Sequence, residues 1–305
     1  MQIHKRTLSW KTLTENDVNT YKLPRNYYIQ QIALLFELKY TTGSSAPTFV
    51  EDAPFTIIKR LRFKIAGAKN RTLVDVLPKS FISLCKLDNR LAPYSDTLGT
   101  NTSTAYTVNF MLKLDFRIDK ANKYDTLAVI PAFQFSSVEV EMQVGDADDL
   151  ASANAPTINY IKVKPTLTEI ITDEAIESLE YYLISREHTL TESEIDLETG
   201  KVLRRLLLLT KDSSGNRSNS IINTYAIKVG KTPIISDTHF VTSRLVDREE
   251  YQVAPDTGVT MIDFADINDI ENALDLTEAK EGDIKLEMDV ADSNGKIELL
   301  YNWIA

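Results

Sequence analysis

Cysteine is almost missing from this chain: Cys85 is the only one in 305 residues. A lone thiol excludes an intramolecular disulfide, so each core must hold by packing, and it fits a reducing compartment. Glycine is scarce, with 10 residues, about half the usual share. The loops therefore lean on Asn, Asp, Ser, Thr and Pro. The three histidines, His4, His188 and His239, are not spaced with one another or with Cys85 as metal ligands are. The patterns GxGxxG, GxxxxGKS/T and GxSxG are absent, which removes the loops that bring backbone amides to a phosphate or hold a strained serine. No run approaches the ~18 apolar residues of a membrane-spanning helix. The longest, IALLF at 32–36 and LLLL at 206–209, have strand length. The first residues carry His4, Lys5, Arg6 and Lys11 but no apolar segment, so no secretory signal is expected. A net charge of −10 argues against wrapping nucleic acid, and no direct sequence-specific nucleic-acid binding is expected.

What is present reads as β structure. The chain is 43% hydrophobic and 26% charged, with 13 Tyr and 11 Phe, which suits a globular protein rich in strands. Its length allows two domains. VEVEMQV at 138–144 and IKLEMDV at 284–290 alternate with period two. Val138, Val140, Met142 and Val144 share one face, as do Ile284, Leu286, Met288 and Val290. Each is followed by an acidic turn and a last strand-like run, and both pairs are read as closing hairpins. The Asn294–Gly295 pair marks the second turn.

Other segments follow the same grammar twice. YYIQQIALLFELKY at 27–40 is a long strand with a bulge at Gln30–Gln31. TIIKRLRFKIAG at 56–67 alternates through Ile58, Leu61, Phe63 and Ile65, slips near Lys59–Arg60, and ends at Gly67. INTYAIKVG at 222–230 ends the same way at Gly230. LPKSFISLCKL at 77–87 takes helical spacing behind Pro78. In the second half Asp237 is placed to cap a helix carrying Phe240, Val241, Arg244 and Leu245 in the matching slot. RRLLLLT is a strand buried on both faces, and VTMIDF at 259–264 is matched loosely to AVIPAF at 128–133. DINDIENALD is read as a helical turn. At 167–189, Ile176, Leu179 and Leu183 suit a helix, while EYYLIS suits a strand; both stay open.

The fold expected is all-β: two tandem antiparallel eight-stranded jelly rolls with a few short helices, a form that protects exposed strand edges. The domains expected are an N-terminal arm at 1–20, a first jelly roll at 21–167 and a second at 168–305. No catalytic residue, cofactor or metal is expected. Asp146, Asp148 and Asp149, or Asp289, Asp292 and Asn294, supply only part of a calcium loop and read as solvated turns. Cys85 has no base placed beside it and reads as a buried thiol. The candidate functional residues are Lys5, Arg6, Trp10 and Lys11 of the arm, read either as a loose terminus or as a contact for lipid headgroups or a neighbouring subunit. Lys59, Arg60, Arg62 and Lys64 form a cationic strand face, either solvated or turned to an anionic surface.

Two tandem units, each with a strand ending in Gly and then a short helix, and GVTMIDF, NALDL and IKLEMDV in the second, resemble the major capsid proteins of double jelly-roll viruses. The likeness is greatest to those of membrane-containing, lipid-containing phages. The resemblance implies a structural protein of the virion capsid, made in the host cytoplasm. It implies pseudo-hexameric homotrimers tiling an icosahedral shell, with penton or minor capsid proteins and an internal membrane as further partners and the arm facing inward. A tandem β-sandwich carbohydrate-binding or adhesin protein is the alternative. It needs an aromatic platform, for which Tyr27, Tyr28, Tyr181 and Tyr182 are the candidates.

Overall fold

A computed structural model describes residues 1–265, 270 and 272–305. It contains, in chain order, β1 (Gln2–Thr7), β2 (Lys11–Leu13), β3 (Val18–Lys22), β4 (Tyr28–Thr41), β5 (Thr48–Phe49), β6 (Ile58–Ala66), β7 (Arg71–Val76), α1 (Pro78–Asn89), β8 (Ala105–Asp115), β9 (Ile130–Pro131), β10 (Ser137–Val144), β11 (Ala151–Ala153) and β12 (Thr157–Ile171). There follow β13 (Tyr181–Thr189), β14 (Glu194–Asp196), β15 (Val202–Lys211), β16 (Ile222–Val229), β17 (Thr232–His239), α2 (Phe240–Tyr251), β18 (Val259–Asp263), β19 (Leu274–Asp275), β20 (Ile284–Val290) and β21 (Lys296–Ile304). The chain divides into two compact units. Unit 1 is Met1–Ile82 with Ala92–Glu180; unit 2 is Ser83–Leu91 with Tyr181–Ala305.

In unit 1 one sheet runs β1-β12-β4-β8 and the other β3-β10-β6-β7. Their inner faces come from strict alternation: Ile32, Leu34, Phe36, Leu38 and Tyr40 of β4 are buried, as are Val108, Phe110, Leu112 and Leu114 of β8. Leu61, Phe63 and Ile65 of β6 and Val138, Val140 and Met142 of β10 are buried from the second sheet. Phe36 and Phe110, paired across strands, stack with centroids 4.8 Å apart. Full burial of each such side chain contributes about 2–3 kcal/mol, and the stacking adds about 1 kcal/mol. Both expected bulges are present. Gln31 faces Thr168 while Ile29 faces Glu169, leaving Gln30 extra; Arg60 faces Gln143 while Ile58 faces Val144, leaving Lys59 extra. Each bulge keeps the apolar set on one face across a slip that would otherwise turn it outward.

Unit 2 repeats the plan. One sheet runs β13-β21-β15-β18, and a 4-stranded sheet runs β14-β20-β16-β17. Element for element, β1, β3, β4, β6, β7, α1, β8, β10 and β12 answer to β13, β14, β15, β16, β17, α2, β18, β20 and β21. Each unit therefore has the expected eight strands, with successive strands alternating between sheets except at the β6–β7 and β16–β17 hairpins. β15 and β21 are buried along nearly their whole length on both faces. Gly230, with φ of +58°, makes the turn between β16 and β17.

Several expectations are corrected. The closing pairs are not hairpins: β10 joins β3 and β6 while β12 joins β4, and β20 joins β14 and β16 while β21 joins β13 and β15. Alternation sets a strand's inward face but carries no information about its partner. VTMIDF forms β18, the counterpart of β8 and not of AVIPAF. Asp237 lies within β17, and His239 holds the N-cap position of α2 without a side-chain cap. The segment at 167–189 has no helix; β12 runs on to Ile171 and β13 opens at Tyr181. The first unit begins at Met1, because residues 1–20 hold β1, β2 and most of β3. The turn expected in DINDIENALD falls largely outside the described residues.

Candidate functional site

The four N-terminal candidates lie on and beside the edge of unit 1. β1 pairs residue by residue with β12, from Gln2 opposite Ile171 to Thr7 opposite Thr166. Glu169 of β12 is fully buried, and its Oε2 receives Arg6 Nε at 3.1 Å and His4 Nδ1 at 3.3 Å. Arg6 also lies over the Tyr27 ring, 5.7 Å from its centroid. Arg6 is thus a fastener of the strand edge, whereas Lys5 points to solvent. Trp10 is 41% exposed, with the Lys164 ammonium 5.6 Å from its ring centroid. Lys11 donates to the Thr20 carbonyl. Trp10, Lys11, Tyr21 and Lys22 line an open groove of about 390 Å³. Trp10 and Lys11 are therefore brought together, with Lys22 added, a residue the sequence reading did not single out.

The cationic strand face at Lys59–Lys64 is occupied by local partners. Asp75 receives Arg60 at 2.5 Å and Arg62 at 3.2 Å, Glu141 receives Arg62 at 2.7 Å and Lys64 at 2.6 Å, and Lys59 sits 3.1 Å from Asp149. The partners are cross-strand neighbours, since Arg62 stands opposite both Asp75 and Glu141. Against the paired carboxylates this face is a neutralised ladder rather than a free patch.

The strongest electrostatics lie inside unit 2, where sequence reading saw only a greasy strand. Arg205 is 1% exposed and binds Asp88 at 2.6 Å, with Asp263 at 3.9 Å. Burial works against the charge on Arg205, but Asp88 beside it holds the guanidinium firmly protonated. Burial pushes the Asp263 carboxyl up, and Tyr251 donates to it. Lys211 bridges Glu298 at 2.6 Å and Glu187 at 2.9 Å. Asp247 of α2 ends a buried hydroxyl chain: Tyr225 and Ser243 are 2.8 Å apart, Ser243 and Thr260 2.6 Å, and Thr260 donates to Asp247 at 2.7 Å. Burial raises the Asp247 carboxyl to about 7. Apart from Glu187, which is open to solvent, these groups lie inside the unit and fix α2 and β15 in place.

Among the described residues no group of three His, Cys, Asp or Glu side chains is arranged to hold a metal ion. Asp146 caps a single helical turn, accepting from Asp148 N at 3.0 Å while Asp149 accepts from Asp146 N at 3.0 Å. Asp292 accepts from Asn294 N at 3.0 Å within its turn, and Asp289 receives Asn223 at 2.9 Å. Cys85 is buried. Of the four platform tyrosines, Tyr28, Tyr181 and Tyr182 are buried, and Tyr27 lies under Arg6, so they form no exposed aromatic surface. His188 lies on an open groove of about 510 Å³ with Glu187, Glu192, Glu194 and Asp196; burial lowers its affinity for a proton. No nucleophile, base and oxyanion donor converge there.

No family model matches the chain, and no curated protein matches it. Solved structures do. The MCP of STIV, the Sulfolobus turreted icosahedral virus, superposes with a TM-score of 0.81 at 18% identity, covering 100% of this chain and 97% of its own. The major capsid protein P2 of bacteriophage PM2 gives 0.64 at 13% identity, covering 100% and 98%. The capsid of PBCV-1 gives 0.67 at 10% identity, covering 99% and 94%. The chain has the double jelly-roll fold that these structures share.

Proposed function

We propose that this chain is a structural major capsid protein that forms pseudo-hexameric homotrimers and tiles an icosahedral virion shell. The observation that carries this is the duplication. Two eight-stranded rolls of identical strand order fill the whole chain, and the same doubled plan fills the capsid proteins of three different viruses end to end. Two rolls per chain and three chains give six walls of a block, a shape that packs a surface. The chain works by association rather than turnover, so its chemistry lies in the surfaces it buries. On this reading Trp10, Lys11, Lys22 and Lys164 form the inward end, where an amphipathic indole among cations suits the headgroups of an internal lipid membrane. Lys5 and Arg6 stand on the adjoining edge. Penton and minor capsid proteins are the further partners. Light scattering on the purified chain tests the reading. Three copies of 34.4 kDa give a species of roughly 100 kDa; a single-copy mass at every concentration would sink it.

A further inference from the structure

Unit 1 holds a pocket of about 260 Å³ between its second sheet and the segment that leaves β12. The floor is made of core side chains, Ile65 of β6 and Leu73 of β7, both buried. One wall is Val129, Ile130 and Pro131, continued by Phe135 after a helical turn at Ala132–Gln134. The other wall is the segment at 172–180, through Ile176, Ser178 and Leu179.

That segment is irregular, yet it is pinned. The Ile176 N–H donates to the Tyr28 hydroxyl at 3.1 Å, and the Leu179 N–H donates to the Leu127 carbonyl at 2.7 Å. The Ile176 side chain packs on the buried cluster of Tyr28, Val129 and Ile170. These anchors tie the segment to residues other than β6 and β7, which leaves the gap above those two strands unfilled. Close-packed interiors keep few voids larger than a water molecule, and this one is lined mainly by aliphatic and aromatic groups. An apolar cavity of about 150 Å³ takes up benzene, so this one has room for roughly ten carbons.

The mouth is charged. Arg71 pairs with Glu180, and its guanidinium lies 5.9 Å from the centroid of the Phe135 ring. Arg25 donates to the Phe135 carbonyl. Two guanidiniums thus meet at Phe135, and one carboxylate is paired with them, so the rim favours an added anion. An apolar interior with a few polar groups at its rim is the usual form of a small-molecule site. We propose that this pocket binds a small amphiphile with an alkyl chain and a single anionic head group, the class of a medium-chain carboxylate. The chain lies over Ile65 and Leu73, and the head group meets Arg71 and Arg25. The bound molecule clips the segment at 172–180 to β6 and β7 and stabilises unit 1 by mass action. The site lies wholly within unit 1 and needs no second copy.

Isothermal titration calorimetry of the full chain with decanoate, below its micelle concentration, is the test. One decanoate per chain is expected. Hexanoate, shorter by four methylenes, should bind about a hundredfold more weakly. Decanol, which lacks the charge, should bind about tenfold more weakly. Ser178→Phe fills the pocket from its wall and should abolish binding, while Arg71→Gln should weaken decanoate about tenfold and leave decanol unchanged. No binding of decanoate overturns the proposal, as does binding at several sites that neither chain length nor Ser178→Phe alters. Should Ser178→Phe not fold, a decanoate with a photoreactive diazirine at its chain end is cross-linked to the wild type. Label at 65–73, 129–135 or 176–179 is expected; label confined to other residues overturns the proposal.

Discussion

Replacing Asp247 with Asn isolates the pH dependence built into unit 2. Asp247 is 3% exposed, and its Oδ2 accepts from Thr260 at 2.7 Å and Met261 N at 2.9 Å. Burial dominates its proton affinity, and the charges of Asp263 and Glu250 add to it. Arg244, one turn back, is spent on the carbonyls of Val259, Pro255 and Asp256. Folded, the carboxyl keeps its proton to about pH 7; unfolded, it loses it near pH 4. Unfolding between those values releases a proton. The site's contribution is therefore complete below about pH 4 and is lost as pH rises through about 7. A shift of about three units corresponds to about 4 kcal/mol at most. Asn keeps the acceptor oxygen and cannot ionise. The variant should match the wild type at pH 4 and exceed it by about 3 kcal/mol at pH 8. Urea titrations between pH 4 and 9 measure this. Trp303, buried in β21, reports on unit 2 once Trp10 has been replaced by Phe. A stability difference that stays flat across that range would refute the reasoning.

Other perturbations test other joints. Arg205→Met removes the buried guanidinium that donates to Asp88 at 2.6 Å and should cost about 3–5 kcal/mol, read as a lower urea midpoint. Gly258→Ala places a Cβ 2.5 Å from the Thr210 carbonyl at a φ of +71° and should destabilise by about 2–4 kcal/mol, measured the same way. Arg6→Ala strips the nearer cation from buried Glu169 and should cost about 2 kcal/mol, with faster hydrogen exchange along β1 than along β4. Deleting residues 1–20 as though they were a dispensable arm should leave an insoluble chain, because it uncovers the β12 edge; a soluble product with an unchanged melting temperature would show that β1 is not part of the roll.

Much of the doubled plan was legible in the sequence, because alternation is a direct record of burial in a two-sheet sandwich. The slips at Gln30 and Lys59 were visible as breaks in that alternation, and the strand-to-Gly-to-helix order matched β6 to β16 and α1 to α2 in advance. β1 was not legible. QIHKRT is an edge strand whose inward contacts are made by a histidine and an arginine on a buried glutamate, so it carries almost no apolar signal. Partner choice was hidden as well, since VEVEMQV and IKLEMDV look alike whether they turn back on the next strand or cross to the other sheet. RRLLLLT reads from sequence as a strand buried on both faces, but what accompanies its buried Arg205 is hidden until the fold places Asp88, from a distant helix, beside it. The candidate inward end was half visible: Trp10 and Lys11 were named, but Lys22 and Lys164 join them only through the fold.

Electron cryo-microscopy of the assembled species tests the central claim most directly. Viewed down its axis, each particle should show six barrel densities around a pseudo-hexagonal block, two from each chain. Particles containing isolated pairs of barrels would contradict it.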